Sequence, residues 1–264
     1  MIPFIETGVG EIKFPQENGV FLTRSQPLLP DFVEAYRQER IKSHRNYSHA
    51  QVKELPNAFA YNVHLREWDM RANSLKRFLK YLKRKKEPLL ILDVGCGNGW
   101  FADKLARNQQ YELFGLDVFM DELQQAAAVF HQPNLHFFYG DIFDQIFPQQ
   151  SFDMIILNDS ISYFEDLYKL LYTCLDLLKM GGEIHILDSP VYKSSELEAA
   201  RERSQKYFED LGVKNMLPFF HHHSTDDFLA FPHTYLYKPG GLKSLFGHSG
   251  GSWPWIRIVK DEYV

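Results

Sequence analysis

The chain has 264 residues, enough for one large α/β domain with decorations or for two small domains. Its 45% hydrophobic and 24% charged content excludes disordered and fibrous classes. A net charge of -5 and a pI near 6.1 argue against a global affinity for nucleic acid or anionic membrane. The two cysteines, Cys96 and Cys174, suggest neither a disulfide framework nor a metal knuckle. The start of the chain lacks the basic and apolar regions of a signal peptide, and no apolar run reaches bilayer-spanning length. The expectation is a soluble, cytoplasmic protein with no membrane span.

The first segment, residues 1–87, reads as a helical N-terminal extension, a candidate lid rather than an independent domain. Asn18-Gly19 between Ile12-Lys13-Phe14 and Val20-Phe21-Leu22 predicts a small hairpin. Asp31 after Pro30 is expected to cap a helix running to about 43, with Phe32, Tyr36 and Ile41 facing inward. A stronger helix is predicted over 67–85, where Leu75, Phe78, Leu79 and Leu82 form one apolar stripe. The basic run Lys76, Arg77, Lys80 and Lys83 to Lys86 on that helix reads as a solvated face.

Residues 88–264 read as the main domain, with a core over 88–190 and a substrate-side part over 191–264. Leu89 to Leu92 is a continuous apolar run, as a parallel strand buried on both faces requires. A helix carrying Phe101 and Leu105 follows, then a strand at Leu113 to Leu116 and a helix through Leu123, Ala127 and Phe130. Strands at Leu135 to Tyr139 and Met154 to Leu157 come next. Leu167, Leu170, Leu171, Cys174, Leu175 and Leu178 mark an amphipathic helix, which Gly181-Gly182 is expected to end. Ile184 to Leu187 is the fifth strand. A helix over Leu197 to Leu211 closes at Gly212, and Thr234 to Tyr237 and Ile256 to Val259 supply two last strands. This alternation predicts a Rossmann-like, mostly parallel seven-stranded sheet with helices on both faces.

In such sheets ligands sit beyond the carboxyl ends of the strands. The first core strand ends in Asp93, followed by Gly95-Cys96-Gly97-Asn98-Gly99-Trp100; the second ends in Asp117-Val118, the third in Gly140-Asp141-Ile142, the fourth in Asn158-Asp159-Ser160. Glycines let backbone approach a ligand closely. A carboxylate after the second strand can accept two ribose hydroxyls, and an Asp after the third can accept from an adenine amine, with the Ile142 N–H serving a ring nitrogen. Dinucleotide-binding loops prefer Gly-x-Gly-x-x-Gly. Here glycines alternate and bulky Trp100 follows, which fits a pyrophosphate poorly.

In these motifs the sequence resembles the class I S-adenosylmethionine-dependent methyltransferases over about residues 70–190. The resemblance implies that Asp93 to Trp100 approach the methionine half of the cofactor, that Asp117 and Val118 meet the ribose, and that Asp141 and Ile142 meet adenine. The run Leu178-Lys179-Met180-Gly181-Gly182 resembles the family's turn before its fifth strand, with Met180 in place of proline. It also implies S-adenosylmethionine as methyl donor and S-adenosylhomocysteine as product. Asn158 and Asp159 are expected to touch the cofactor, and Arg71 to pair with its methionine carboxylate.

The sequence Asn158-Asp159-Ser160-Ile161-Ser162-Tyr163 is neither the Asn/Asp-Pro-Pro-Tyr/Phe pattern of base and amide methylation nor a site with a cysteine nucleophile. No catalytic residue is identified; the candidates for a catalytic or acceptor-contacting role are Tyr163, Tyr192, His223 and His233. Consecutive His221-His222-His223 diverge from one another, so no metal is expected. The acceptor reads as a small molecule or a glycan- or lipid-linked intermediate. The rival readings are a non-catalytic cofactor- or partner-binding module on the same fold and an NAD(P)-dependent oxidoreductase.

Overall fold

The computed structural model describes residues 14–24, 27–58, 61–239 and 253–261, together with the backbone of 6–7 and 10–11. Two short strands, β1 (Glu6–Thr7) and β2 (Gly10–Glu11), pair with each other. Asn18-Gly19 then turns a small hairpin between β3 (Gln16–Glu17) and β4 (Val20–Leu22), both turn residues adopting positive φ. The hairpin is where the sequence places it, but its first strand begins later; Ile12 and Lys13 lie outside the described residues.

Helix α1 (Pro30–Lys42) starts at Pro30, whose missing N–H and fixed φ suit a first helical position. Asp31 does not cap it: Leu29 occupies the cap in a left-handed conformation, and Asp31 lies in the first turn, where its charge complements the helix dipole. Ile41 is 53% exposed rather than inward-facing. After α2 (His49–Glu54), capped by a reciprocal Ser48–Gln51 box, α3 (Leu65–Leu82) buries Trp68, Arg71, Ser74, Leu75, Phe78 and Leu82. The apolar stripe read in its second half thus continues toward its N-terminus and carries Arg71 inside. Most of the basic run faces solvent, although Lys85 reaches Glu183 at 2.9 Å.

The remaining elements are β5 (Leu89–Val94), α4 (Trp100–Ala106), β6 (Tyr111–Asp117), α5 (Met120–Val129), β7 (Leu135–Tyr139), β8 (Phe152–Asn158), α6 (Leu167–Leu177), β9 (Leu178–Leu187), α7 (Leu197–Leu211), β10 (His233–Tyr237) and β11 (Trp255–Val259). They form one sheet in the order β10-β11-β9-β8-β5-β6-β7-β4-β3. Its central strands are parallel, β11 is antiparallel to β9, and β10 to β11. The seven expected strands are all present. The sheet is wider than seven because β4 from the N-terminal extension adds in parallel beside β7 and brings β3 with it.

Two apolar layers cover the sheet, one including Phe78, Leu105 and Leu123, the other Leu170, Leu171 and Cys174. A third, smaller cluster joins Ala35 of α1 to Phe208 of α7, Val213 and Met216, which holds α1 above the carboxyl ends of the strands. The expectation that Gly181-Gly182 caps α6 is corrected: the helix ends at Leu177, its next residue is already extended, and Gly181 takes positive φ inside β9, donating its N–H to the Lys260 carbonyl. Gly212, by contrast, caps α7 in the left-handed conformation. No helix among the described residues is long and apolar enough to cross a membrane.

Candidate active site

The strand order reverses at β5, which has β6 on one side and β8 on the other. Beyond the carboxyl ends of these strands lies a cavity of about 450 Å³. The loop from Gly95 to Asn98 forms one wall. It is anchored by Gly95 and Cys96 N–H groups donating to the Leu116 carbonyl at 2.8 and 3.2 Å. Gly95 has φ +73, and a side chain there would place Cβ 2.6 Å from Cβ of Ser160, so this turn can be made only without one.

Three acidic residues stand where the strands end. Asp93 is 1% exposed, and neither of its carboxylate oxygens has a hydrogen-bond partner in the protein. Burial, reinforced by the charge of Asp117, pushes its pKa up to about 7. Asp117 accepts from the Gly97 and Phe119 N–H groups, each at 2.8 Å; burial outweighs these bonds and raises it to about 6. Asp141 opens a short 3-10 turn over Ile142–Asp144, accepting from the Phe143 N–H at 3.0 Å, and burial raises its pKa as well. Asp93, Asp117, Val118, Asp141 and Ile142 all line the cavity.

On the other side, Asn158 is 8% exposed with Oδ1 unpartnered, and Asp159 follows in a left-handed conformation. The Asp159 carboxylate pairs with the guanidinium of Arg71, which also bonds Glu67 at 2.8 Å. Glu67 in turn accepts two bonds from Arg45 at 2.7 and 2.9 Å. Burial opposes the charge on Glu67, but Arg71 and Arg45 outweigh it and bring its pKa down to about 2. Trp100 meets Trp68 edge-to-face at 5.4 Å, and both rings line the cavity. The half-buried Tyr163 ring also faces it, its phenol pKa raised by burial and by Asp159.

These positions coincide with a recognised pattern. Residues 91–182 match the methyltransferase domain family model. Over that stretch the chain is similar to class I methyltransferase domains. An uncharacterized methyltransferase of Mycobacterium bovis is 29% identical over 97 residues, 37% of this chain and 49% of that protein, so the chain spans about half the length of the curated relatives it first matches. Among solved structures, the YcgJ protein of Bacillus subtilis aligns at TM-score 0.54 and 15% identity, covering 72% of this chain and 99% of that one. The plantazolicin methyltransferase BpumL, solved with S-adenosylhomocysteine and a monoazolic desmethylPZN analog, aligns at TM-score 0.54 and 17% identity, covering 88% of this chain and 96% of its own. At these identities the structural likeness is one of fold.

The residues of this cavity fit S-adenosylmethionine. A buried carboxylate without a partner suits a cationic ligand, and the Asp117 and Asp141 carboxylates retain lone pairs for hydroxyl and amine donors. Cys96 lines the cavity, but burial raises its thiol well above the usual range, so it is no nucleophile.

Several sequence-predicted residues lie elsewhere. Gly99 caps α4 and packs against β7 and α5: an added Cβ would sit 2.7 Å from the Phe137 ring and 2.9 Å from Ala126. Its use is therefore helix–sheet contact, and it does not line the cavity. Tyr192 is bridged to Ser224, with its ring against His222. His223 is buried, its Nε2 3.0 Å from the Ile161 carbonyl. His233 is on β10 at the sheet edge, with Nδ1 2.9 Å from the Phe231 carbonyl. None of these three lines the cavity; among the four candidate acceptor contacts, Tyr163 alone does. Among the described residues, no group of three or more His, Cys, Asp or Glu is arranged around a metal position.

Sequence reasoning read the extension as a candidate lid but named no residue of α1 as part of the site. Phe32, Tyr36 and Arg40 line the cavity, as do Arg45, Glu122 and Phe219. Arg40 pairs with Glu122 at 2.9 Å. One signal was available: 32, 36 and 40 recur every four residues, so an arginine continues the stripe of the two aromatics on one helix face.

Proposed function

We propose that the protein transfers the methyl group of S-adenosylmethionine to a small-molecule acceptor, or to the small end of a glycan- or lipid-linked one. The observation that carries this reading is the unpartnered, buried carboxylate of Asp93 at the base of the cavity, with Asp117 and Asp141 at the neighbouring strand ends. When bound, the sulfonium cofactor supplies a methyl carbon already activated for in-line displacement.

The protein's own groups then have separable tasks. Asp117 accepts the ribose hydroxyls, while Asp141 and the Ile142 N–H meet the adenine edge. Asp93 faces the cationic amino-acid end, and Arg71, fixed by Glu67 and Asp159, offers its guanidinium to the methionine carboxylate. Most of the rate then comes from alignment and exclusion of water rather than covalent help. Helix α1 serves as a cover over the acceptor side, where its Phe32 and Tyr36 meet Tyr163 at ring distances of 5.8 and 5.5 Å. A cavity of about 450 Å³ is at the small end of ligand sites, which favours a compact acceptor group.

Calorimetric titration with S-adenosylmethionine and S-adenosylhomocysteine tests the reading. Both should bind, and Asp117→Ala should weaken both; absence of binding by the wild-type protein would sink it. Transfer of labelled methyl to a panel of acceptors then separates an enzyme from a non-catalytic binding module.

A further inference from the structure

Four buried polar atoms in residues lining the cavity have no hydrogen-bond partner in the protein: both carboxylate oxygens of Asp93, Oδ1 of Asn158 and Oγ of Ser160. The three residues are at most 8% exposed. Three of the four atoms are acceptors, and the hydroxyl can accept as well. Buried groups in this condition are satisfied when a ligand brings the complementary atom; with Asp93 given to the cofactor's amino-acid end, Asn158 Oδ1 and Ser160 Oγ remain for a donor on the acceptor.

Charge points the same way. Seven carboxylates and three guanidiniums line the cavity. The guanidiniums are already matched: Arg40 by Glu122, Arg45 by Glu67, and Arg71 by Glu67 and Asp159. S-adenosylmethionine brings one net positive charge, so the surplus stays negative after it is seated. Arg71, the guanidinium that the cofactor reading gives to the methionine carboxylate, is then taken as well, so an anionic acceptor would enter a negative cavity and a cationic one would be drawn in. The rings of Phe32, Tyr36, Tyr163 and Phe219 line the same cavity as one packed aromatic patch, with neighbouring centroids 5.5–5.8 Å apart, and the Arg40 guanidinium lies 5.4 Å from the Tyr36 centroid. Aromatic faces attract cations, ammonium groups among them, through their quadrupole.

We propose, building on the cofactor reading above, that the acceptor is an amine, bound as its ammonium ion against the aromatic patch of Phe32, Tyr36, Tyr163 and Phe219 and hydrogen-bonded to Asn158. For transfer, the ammonium first gives one proton to water. Its nitrogen lone pair then forms the bond to the methyl carbon while the carbon–sulfur pair returns to sulfur. A methylated ammonium results, and one proton is released per transfer.

The test is titration of the protein saturated with S-adenosylhomocysteine, using benzylamine, benzyl alcohol and benzoate at neutral pH as probes of similar shape and different charge. Benzylammonium should bind at least about tenfold more tightly than the alcohol, with benzoate the weakest. Tyr163→Leu should lower benzylammonium affinity about fivefold or more, and Tyr163→Phe, which keeps the ring, should retain it. Tyr36→Leu provides the same comparison if the Tyr163 variant fails to fold. Equal or tighter binding of alcohol or benzoate, or binding of none of the probes to a protein that does bind S-adenosylhomocysteine, overturns the amine proposal. Failure to bind S-adenosylhomocysteine overturns the cofactor reading beneath it, so the two failures are told apart.

Discussion

Arg71 and Asp159 meet at the cavity wall although they are 88 residues apart in the chain, one on α3 and the other just past β8. The pair ties the N-terminal extension to a strand end that lines the cavity. Arg71 is 7% exposed, and burial disfavours its charge; Asp159 and Glu67 more than offset that. Arg71→Ala leaves Asp159 without its cation, while Glu67 keeps Arg45. A fully buried pair broken this way costs about 3–5 kcal/mol. With the Asp159 side chain 41% exposed, about 2 kcal/mol is expected. Urea denaturation measures it, and Arg71→Lys, which cannot hold both acids with one planar fork, should recover only part.

Asp117→Asn and Asp117→Ala should both weaken S-adenosylhomocysteine binding, by about tenfold or more, since hydrogen bonds to a charged group contribute about 1.5–3 kcal/mol. Alanine should be the worse of the two, because it also strands the Gly97 and Phe119 N–H groups that Asp117 now satisfies. Comparison of the two variants by calorimetry checks the order.

Asp93 gives the cavity a pH dependence of definite sign. Its native pKa of about 7 lies above the unfolded value of about 3.9, so the native state holds the proton more tightly. Its contribution to the stability of the ligand-free protein is complete below about pH 4 and is lost as pH rises through about 7. Cation binding works against the proton, so S-adenosylmethionine should bind more tightly at pH 8 than at pH 6 and release protons on binding. Titrations in buffers of different ionisation enthalpy measure that release; proton uptake would refute the assignment.

Gly95 and Gly181 both adopt positive φ but differ in surroundings. A Cβ at Gly95 meets Ser160, whereas at Gly181 nothing lies within 4 Å. Gly181→Ala should cost about 1 kcal/mol from backbone strain alone. Gly95→Ala should cost more, about 2–3 kcal/mol, and should abolish cofactor binding because the loop must shift. Equal losses in thermal denaturation would count against the steric account.

A buried cluster away from the cavity governs acid stability. Glu183 accepts from Tyr81 at 2.8 Å and contacts Lys85 at 2.9 Å and His185 at 3.2 Å. Burial works against its charge, but His185, Lys85 and Tyr81 bring its pKa down to about 2. That is below the unfolded value of about 4.3, so its contribution is present above that pH and lost as pH falls toward 2. Glu183→Gln should flatten the acid limb of the stability–pH profile.

The sequence by itself determined the order of strands and helices, the glycine loop and the acids at the strand ends. These are local: a buried parallel strand is read from one run such as Leu89 to Leu92, and Asp93, Asp117 and Asp141 are placed by the strands they terminate. It misjudged Gly181, whose role depends on Lys260, and did not foresee that Gly99 packs against Phe137 and Ala126. The tertiary structure alone decided that Arg71 is buried rather than a solvated helix charge, that α1 closes one wall, and that Tyr192, His223 and His233 stand outside it. Those facts arise from packing between segments distant in the chain. Periodicity reports which face of a helix is buried, not what that face will meet.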